Sequence, residues 1–225
     1  MKRSHLWIPA SFALVAGLLL YMSADRGGAH WLLLWPAANC AAVAAAYFVP
    51  GWGGRVFGKR PDGARAGAVV AWMLPFLMVQ YLTWRLQVLL SPEDAFNEAA
   101  PGLYVGRRPL PGEHPAGLEL VVDVTAEFPK PDYHPEGVGY AALPTLDAFV
   151  PEPEPYAALV RKAASARSVL VHCANGHGRS AAFAAAVLVR RGLAKDVDEG
   201  MALVRRARPA CRLNPAQREA AKAAA

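Results

Sequence analysis

Cysteine is scarce in this sequence, and positive charge is nowhere concentrated. The 225 residues include three cysteines, Cys40, Cys173 and Cys211, which are too few for a disulfide-stabilised scaffold. The formal net charge of +6 is divided evenly between the residues up to 100 (eight basic, five acidic) and those beyond (sixteen basic, thirteen acidic). Neither part therefore has the basic patch that is typical of a nucleic-acid-binding protein, and we expect no nucleic-acid partner.

Charged residues are missing from three long stretches near the N-terminus. Residues 6–22, 31–50 and 66–84 contain no Asp, Glu, Lys or Arg, and about 20 apolar residues are enough to cross a bilayer as a helix. A buried globular core would need polar faces on these helices, which the runs lack. The sequence therefore predicts three transmembrane helices, the third reaching residue 88, in a membrane region that covers residues 1–90. A cleaved signal peptide is the alternative for the first run, but no good cleavage site follows it.

Beyond residue 101 the sequence changes to the pattern of an ordinary α/β domain. Short β-branched runs alternate with helical sequence, and a domain of this size can bury one hydrophobic core. We expect residues 102–225 to form this domain, joined to the membrane region by a linker at 91–101. Strands are predicted at 102–106, 120–125 and 168–171, and helices at 155–166, 180–191, 197–206 and from Asn214 onward.

The segment between the last predicted strand and the Ala-rich helix carries the most chemistry. Residues 172–180 read HCANGHGRS. A loop with glycines such as Gly176 and Gly178 at a helix N-terminus can bind an anion, because its backbone N–H groups converge and the helix dipole adds positive potential. The same amides favour the thiolate of Cys173. Arg179 can present a planar fork to two phosphate oxygens, which a lysine cannot do.

A chance pattern and a metal site both fit this segment less well than an anion-binding loop does. A Cys-x5-Arg pattern arises often by chance, but here a β-run, two glycines, a serine and a helix accompany it. His172, Cys173 and His177 are residue types that bind metals, but no second ligand cluster follows them in the sequence. We therefore expect a phosphate-binding loop and no metal site.

The segment resembles the His-Cys-x5-Arg-Ser signature of the Cys-dependent protein tyrosine phosphatase superfamily, specifically its dual-specificity branch. The resemblance extends to LYVGR at 103–107, VVDVTAEF at 121–128, RRARP at 205–209, and to Asn214 and Gln217. It implies an α/β phosphatase domain, in which a central sheet flanked by helices carries a Cys-x5-Arg phosphate loop. It also implies catalysis without a cofactor.

The family mechanism implies a role for each matching residue. Cys173 would be the nucleophile, Arg179 the clamp on the phosphate and the transition state, and Ser180 the hydroxyl that stabilises the leaving thiolate. His172 would support the nucleophile from the preceding position. Backbone amides of the loop would bind the substrate phosphate, and these belong to Ala174, Asn175, Gly176, His177, Gly178 and Arg179.

The family also needs a general acid upstream, to protonate the leaving oxygen. Asp147 follows a predicted strand and precedes Cys173 by 26 residues, a somewhat shorter separation than the family usually has. Glu152 and Glu154 are the alternatives. Asp123, inside an apolar strand, is interpreted as a structural carboxylate.

These residues predict a membrane-anchored phosphomonoester hydrolase that works through a phosphocysteine intermediate. Its substrate would be a phosphotyrosine or phosphoserine/threonine protein, or a phospholipid phosphomonoester, and its other partner the membrane. A catalytically weak, membrane-anchored phosphate-binding or scaffold protein is the alternative. The arginines between residues 190 and 212 are interpreted as solvated helix faces, with anionic lipid headgroups as their alternative ligands.

The side of the membrane on which the catalytic domain lies stays open at this stage. Basic residues precede the first run and follow the second, which favours the cytoplasm for both of these segments. Three spans would then place the C-terminal domain outside, whereas thiol chemistry suits a reducing cytoplasm. A re-entrant first or third segment would reconcile an integral, multi-pass location with that chemistry.

Overall fold

Two long apolar helices begin the part of the chain that the computed structural model describes, which is residues 6–26, 28–49 and 51–225. Helix α1 spans Trp7–Arg26, and a short 3-10 helix at Gly28–Leu33 leads into α2 at Leu34–Ala46. The two stretches Trp7–Asp25 and Gly28–Ala46 are long and apolar enough to cross a membrane. Of the first stretch 17% is buried, and of the second 33%.

The third hydrophobic run does not form one long helix. It is divided into α3 (Gly67–Trp72) and α4 (Leu74–Leu90) by Met73, whose ψ of 5° departs from helical geometry. Met73 is buried with Ala126 of the part of the chain that follows α4, residues 91–225, which we call the C-terminal part. Trp84, further along α4, packs on Phe128. Helix α4 thus lies along the C-terminal part, so the described residues contain two candidate membrane spans rather than the three that the sequence predicts.

A five-stranded mixed sheet forms the centre of the C-terminal part. Its order is β1-β2-β5-β3-β4, and every neighbouring pair is parallel except β1 and β2. The continuous apolar runs of β3 and β5 are buried in its middle, as expected for parallel strands. The strands are β1 (Phe96–Ala100), β2 (Leu103–Arg107), β3 (Leu120–Asp123), β4 (Gly139–Ala142) and β5 (Val169–Cys173).

Four helices pack with this sheet, and the most buried of them follows β5 directly. The small alanines of α6 let neighbouring helices approach closely, and its residues 179–188 are all buried. An Asn214–Gln217 capping box begins α8, as the sequence suggests. The four are α5 (Pro153–Ser165), α6 (Arg179–Arg190), α7 (Val197–Ala207) and α8 (Pro215–Ala224).

Two strands fall outside the three ranges that the sequence predicts as strands. Strand β1 falls inside the segment 91–101 that was expected to be a linker, and β4 is the strand that was expected before Asp147 without bounds. Both are at the ends of the sheet and carry few β-branched residues, so the hydrophobic pattern does not mark them. The division into a membrane region, a linker and a catalytic domain stays a prediction.

The segment between α2 and α3 is fixed to the sheet. The backbone N–H of Ala142 donates to Pro61 O, and that of Lys130 donates to Gly63 O. Lys59 extends into the C-terminal part and forms a fully buried ion pair with Asp123, with 2.7 Å between Nζ and Oδ2. The apolar N-terminal part and the sheet therefore share buried polar contacts.

Candidate active site

Cys173 is the last residue of the central strand β5 and is only 4% exposed. The following loop turns back over its sulfur, so that the backbone N–H of Gly176 donates to Sγ at 3.2 Å. Ser180 Oγ, in the first turn of α6, lies 3.4 Å from the same sulfur. The structure thus brings Cys173, Ser180 and the N-terminus of α6 together, in the arrangement expected of an anion-binding loop.

Only glycine fits at position 176. Its φ is +80°, and a Cβ there would lie 2.5 Å from the carbonyl carbon of Gly106 and 2.6 Å from Arg107 N. The phosphate loop therefore rests directly on the backbone of strand β2.

The outer side of the loop is held by Arg208, which is 2% exposed. Its guanidinium donates to the carbonyl oxygens of Gly176 (3.1 Å) and Asn175 (3.2 Å) and pairs with Glu93 (2.8 Å). His177 Nε2 lies 2.6 Å from the same Glu93. The assignment of Arg208 to a solvated helix face is therefore wrong, because its side chain is buried and its charge is bound by two loop carbonyls and one carboxylate.

Arg179 is the first residue of α6, and its guanidinium is almost completely buried. Nη1 and Nη2 donate to the two oxygens of Glu127 at 2.9 and 2.7 Å, and Nη1 also donates to Thr145 O at 2.7 Å. Burial opposes the charge, but Glu127 and then Asp147 hold the pKa of Arg179 well above its usual value. Glu127 lies within the VVDVTAEF motif, but nothing in the sequence indicated that it would hold the arginine.

Asp147 lies at the mouth of a cleft that Cys173 and Arg179 also line, and its side chain is 76% exposed. Its Oδ1 is 3.4 Å from Nε of Arg179, and this Nε has no hydrogen-bond partner within the described ranges. The alternative acids are elsewhere: Glu152 lines a different cleft, and Glu154 lies 3.7 Å from Arg161. Of the three candidates, only Asp147 lines the cleft that contains the cysteine.

Helix α4 forms one wall of this cleft, which has a volume of about 510 Å³. Trp84 Nε1 donates to Ala174 O at 3.0 Å, and Asn175 Nδ2 donates to Gln87 Oε1 at 3.0 Å. Gln80 lines the same wall. The third hydrophobic run thus contributes directly to the site, which the sequence did not indicate.

Behind the cysteine, His172 belongs to a buried polar network. Its Nε2 is 3.8 Å from Asp123 Oδ2, and burial lowers the pKa of His172 to about 4. Burial also opposes ionisation of Asp123, but Lys59, together with His172 and Thr125, holds its pKa well below the usual value. Tyr140 and Thr125 donate to the same carboxylate. Asp123 is therefore a structural carboxylate whose principal partner comes from the N-terminal part.

No group of three or more His, Cys, Asp or Glu side chains that could hold a metal ion occurs among residues 6–26, 28–49 and 51–225. His177, one of the potential ligands considered from the sequence, is engaged with Glu93.

No protein-family model matches the sequence, and no curated protein matches it. Solved structures, in contrast, do resemble this protein. Human DUSP28 is 29% identical, with a TM-score of 0.46 over 57% of this chain and 94% of that chain. PTPMT1 in complex with PI(5)P is 22% identical, with a TM-score of 0.51 over 58% of this chain and 94% of that one. The likeness to PTPMT1 shows that the C-terminal part has the α/β phosphatase fold, with its central mixed sheet, that the sequence motifs imply.

Proposed function

We propose that this protein is a phosphomonoester hydrolase that works through a phosphocysteine intermediate. One observation carries the proposal: Cys173, Arg179 and Asp147 line a single cleft, and the hydroxyl of Ser180 lies 3.4 Å from the cysteine sulfur. A nucleophile, an anion site and a proton donor are the groups that a two-step phosphoryl transfer needs. Glu127 and Thr145 hold two guanidinium nitrogens of Arg179, so its Nε is left to bind a phosphate oxygen.

The first step forms a sulfur–phosphorus bond and breaks the bond to the leaving oxygen. Cys173 attacks as the thiolate, while the carboxyl group of Asp147 donates its proton to the departing alkoxide or phenolate. In the second step Asp147, now a carboxylate, accepts a proton from the attacking water. The sulfur–phosphorus bond breaks, inorganic phosphate leaves, and the hydroxyl of Ser180 stabilises the released thiolate.

We further propose that α1 and the stretch leading through α2 cross the membrane as a hairpin. The C-terminal part, which we now call the catalytic part, would then lie in the cytoplasm. Ile8, at the start of α1, and Tyr47, at the end of α2, are buried in one cluster with Leu146 of the catalytic part. Both ends of the hairpin then face the catalytic part, together with the basic segment 55–65. This arrangement satisfies the positive-inside rule and gives the thiol a reducing compartment.

Labelling with a membrane-impermeant maleimide tests this topology in intact cells. A cysteine at Ala24, near the far end of α1, should react from outside, and one at Arg60 should not. Labelling of the Arg60→Cys protein alone would contradict the proposed orientation.

The proposed substrate is a phospholipid with one phosphomonoester. Helix α4 supports this class, because Gln80, Trp84 and Gln87 line the cleft while Leu82 and Leu86 are exposed on the remainder of the helix. The acyl chains would lie beside these leucines, with the phosphate in the loop. The loop has no lysine between Cys173 and Arg179, and His177 is occupied by Glu93, which favours a singly phosphorylated headgroup. A phospholipid is compatible with the fold, since PTPMT1 was crystallised with PI(5)P.

Phosphate release by the full-length protein in vesicles tests both proposals. Cys173→Ser should abolish turnover without loss of folding, whereas Cys40→Ser should retain it. The wild-type protein is then offered a lipid phosphomonoester and a membrane-anchored phosphotyrosine peptide together. Substantial activity of a folded Cys173→Ser protein would exclude the mechanism. A clear preference for the peptide would exclude the lipid assignment alone.

A further inference from the structure

The loop that carries Asp147 is held from outside the catalytic part. Tyr47, directly after the last turn of α2, donates its hydroxyl proton to the backbone carbonyl of Asp147 at 3.1 Å. Its ring also meets Phe149 edge-on, with 5.7 Å between centroids and an interplanar angle of 84°. Tyr47 is 7% exposed, although it follows directly on a candidate membrane span. One tyrosine therefore contacts both Asp147 and a residue just beyond it.

Other contacts fix the loop on the preceding side of Asp147. Leu146 is 2% exposed and is buried in the same cluster as Val43 and Tyr47. Gly54 approaches Pro144 so closely that a Cβ at Gly54 would lie 2.0 Å from Pro144 O. Residues on both sides of the acid thus pack on Val43, Tyr47 and Gly54.

The backbone at this point is strained and needs such support. Ala148 has a φ of +54°, which costs a non-glycine residue roughly 1–2 kcal/mol. Asn214 Nδ2 donates to Ala148 O at 2.9 Å, so two consecutive carbonyls, those of Asp147 and Ala148, each accept a side-chain hydrogen bond. These two bonds fix the peptide groups that follow the acid.

The side chain of Asp147 has little else to position it. Its carboxylate is three-quarters exposed, and the ion-pair contact described for it is with Arg179 Nε, at 3.4 Å. Because a phosphate would compete for that Nε, the backbone must set the direction of the carboxyl group during turnover. A displacement of about 1 Å can cost two orders of magnitude in rate.

We propose that Tyr47 is a positioning residue for the general acid, so that the apolar N-terminal part completes the active site. This inference rests on the proposed hydrolase function and on Asp147 as its acid. The hydroxyl of Tyr47 acts through the backbone of Asp147 and does not touch the substrate. Removal of this hydroxyl should therefore lower kcat only for substrates whose leaving oxygen needs a proton.

The test is Tyr47→Phe in the full-length protein in detergent, which keeps the ring and removes the hydroxyl. The value of kcat for an alkyl phosphate should fall roughly tenfold, whereas kcat for p-nitrophenyl phosphate should change less than about twofold. In an Asp147→Asn background the substitution should cause no further loss. Tyr21→Phe, which removes an exposed hydroxyl from α1, is the matched control and should change neither rate.

A second variant keeps the inference testable if Tyr47→Phe unfolds. Phe149→Leu loosens the same ring contact and should give the same difference between the two substrates. Equal losses on both substrates, or a full additional loss in the Asp147→Asn background, would overturn the positioning role. If Asp147→Asn shows the leaving-group effect and Tyr47→Phe does not, only this inference fails. If the wild-type protein hydrolyses neither phosphate, the proposed function fails and this inference falls with it.

Discussion

The side chain of Asp147 is exposed at the mouth of the cleft that the buried Cys173 also lines, and we propose that it protonates the leaving oxygen there. Asp147→Asn removes the acidic proton of the carboxyl group and keeps the size and shape of the side chain. Hydrolysis of alkyl phosphates should slow by about 10²- to 10⁴-fold, whereas p-nitrophenyl phosphate, with its good leaving group, should be much less affected. Comparison of kcat for the two substrates checks this. Equal slowing of both would indicate a structural role, and Glu152→Gln would then be the next variant to measure.

The buried His172 should make stability depend on pH. Its pKa is about 4 in the folded protein and about 6.5 when unfolded, so between these values the unfolded chain binds the additional proton. The contribution of the neutral His172 to the free energy of unfolding is therefore fully present above pH 6.5. It is lost as the pH falls toward 4, and the loss is on the order of 3 kcal/mol. Below pH 4 both states are protonated and the loss stops.

Thermal unfolding in detergent between pH 7 and pH 4 measures this effect. Carboxylates also titrate in acid, so the informative quantity is the difference between the wild-type protein and His172→Asn. The wild-type protein should lose more stability over this range than the variant does. Parallel curves would show that His172 does not carry the dependence.

At the scale of elements, the phosphate loop and strand β2 are in backbone contact at Gly176. An alanine there would bring its Cβ within 2.5 Å of Gly106, and neither backbone can move without displacing the loop. Gly176→Ala should reduce kcat/KM more than about 100-fold, since the loop amides would lose their positions. The measurement is phosphate release by folded protein.

Gly112 offers a matched control for this substitution. Its φ is also +80°, but nothing lies within 4 Å of a Cβ built there. Gly112→Ala should cost about 1–2 kcal/mol of stability through backbone strain and leave activity unchanged. Similar activity losses in both variants would mean that strain, rather than contact with β2, explains the result.

At the scale of the whole molecule, Lys59 and Asp123 form a buried ion pair that joins the segment after α2 to strand β3. Lys59→Met leaves the carboxylate buried without its charged partner, which typically costs about 3–5 kcal/mol. We expect the apparent Tm to fall by roughly 10 °C. Arg60→Met is the control, because the side chain of Arg60 is 66% exposed and should contribute little.

This ion pair and two other contacts also predict how a C-terminal fragment of the protein behaves. A fragment of residues 91–225 keeps β1 and Glu93 but lacks Lys59, Trp84 and Tyr47, which contact Asp123, the phosphate loop and the acid loop. We expect it to be less stable than the full-length protein and slow on alkyl phosphates. A fragment as stable and as active as the full chain would show that residues 1–90 are only an anchor.

The sequence by itself determined the elements whose patterns are local. Strand β5, helix α6 and the capping box of α8 follow from contiguous apolar, small or capping residues, and the loop between β5 and α6 brings Cys173 and Ser180 together. The α/β phosphatase fold was implied by the resemblance of this motif and its flanking segments to the dual-specificity phosphatases, and the likeness to PTPMT1 shows that fold.

Only the tertiary structure decided which distant groups meet. The pairing of Glu127 with Arg179, the contact of Trp84 with the phosphate loop and the hydrogen bond from Tyr47 to Asp147 join residues far apart in sequence. Local hydrophobicity could not show that the third apolar run would lie along the catalytic part, since burial against protein and burial in lipid favour the same residue types. The sequence specifies the chemical groups, whereas long-range packing sets the positions from which they act.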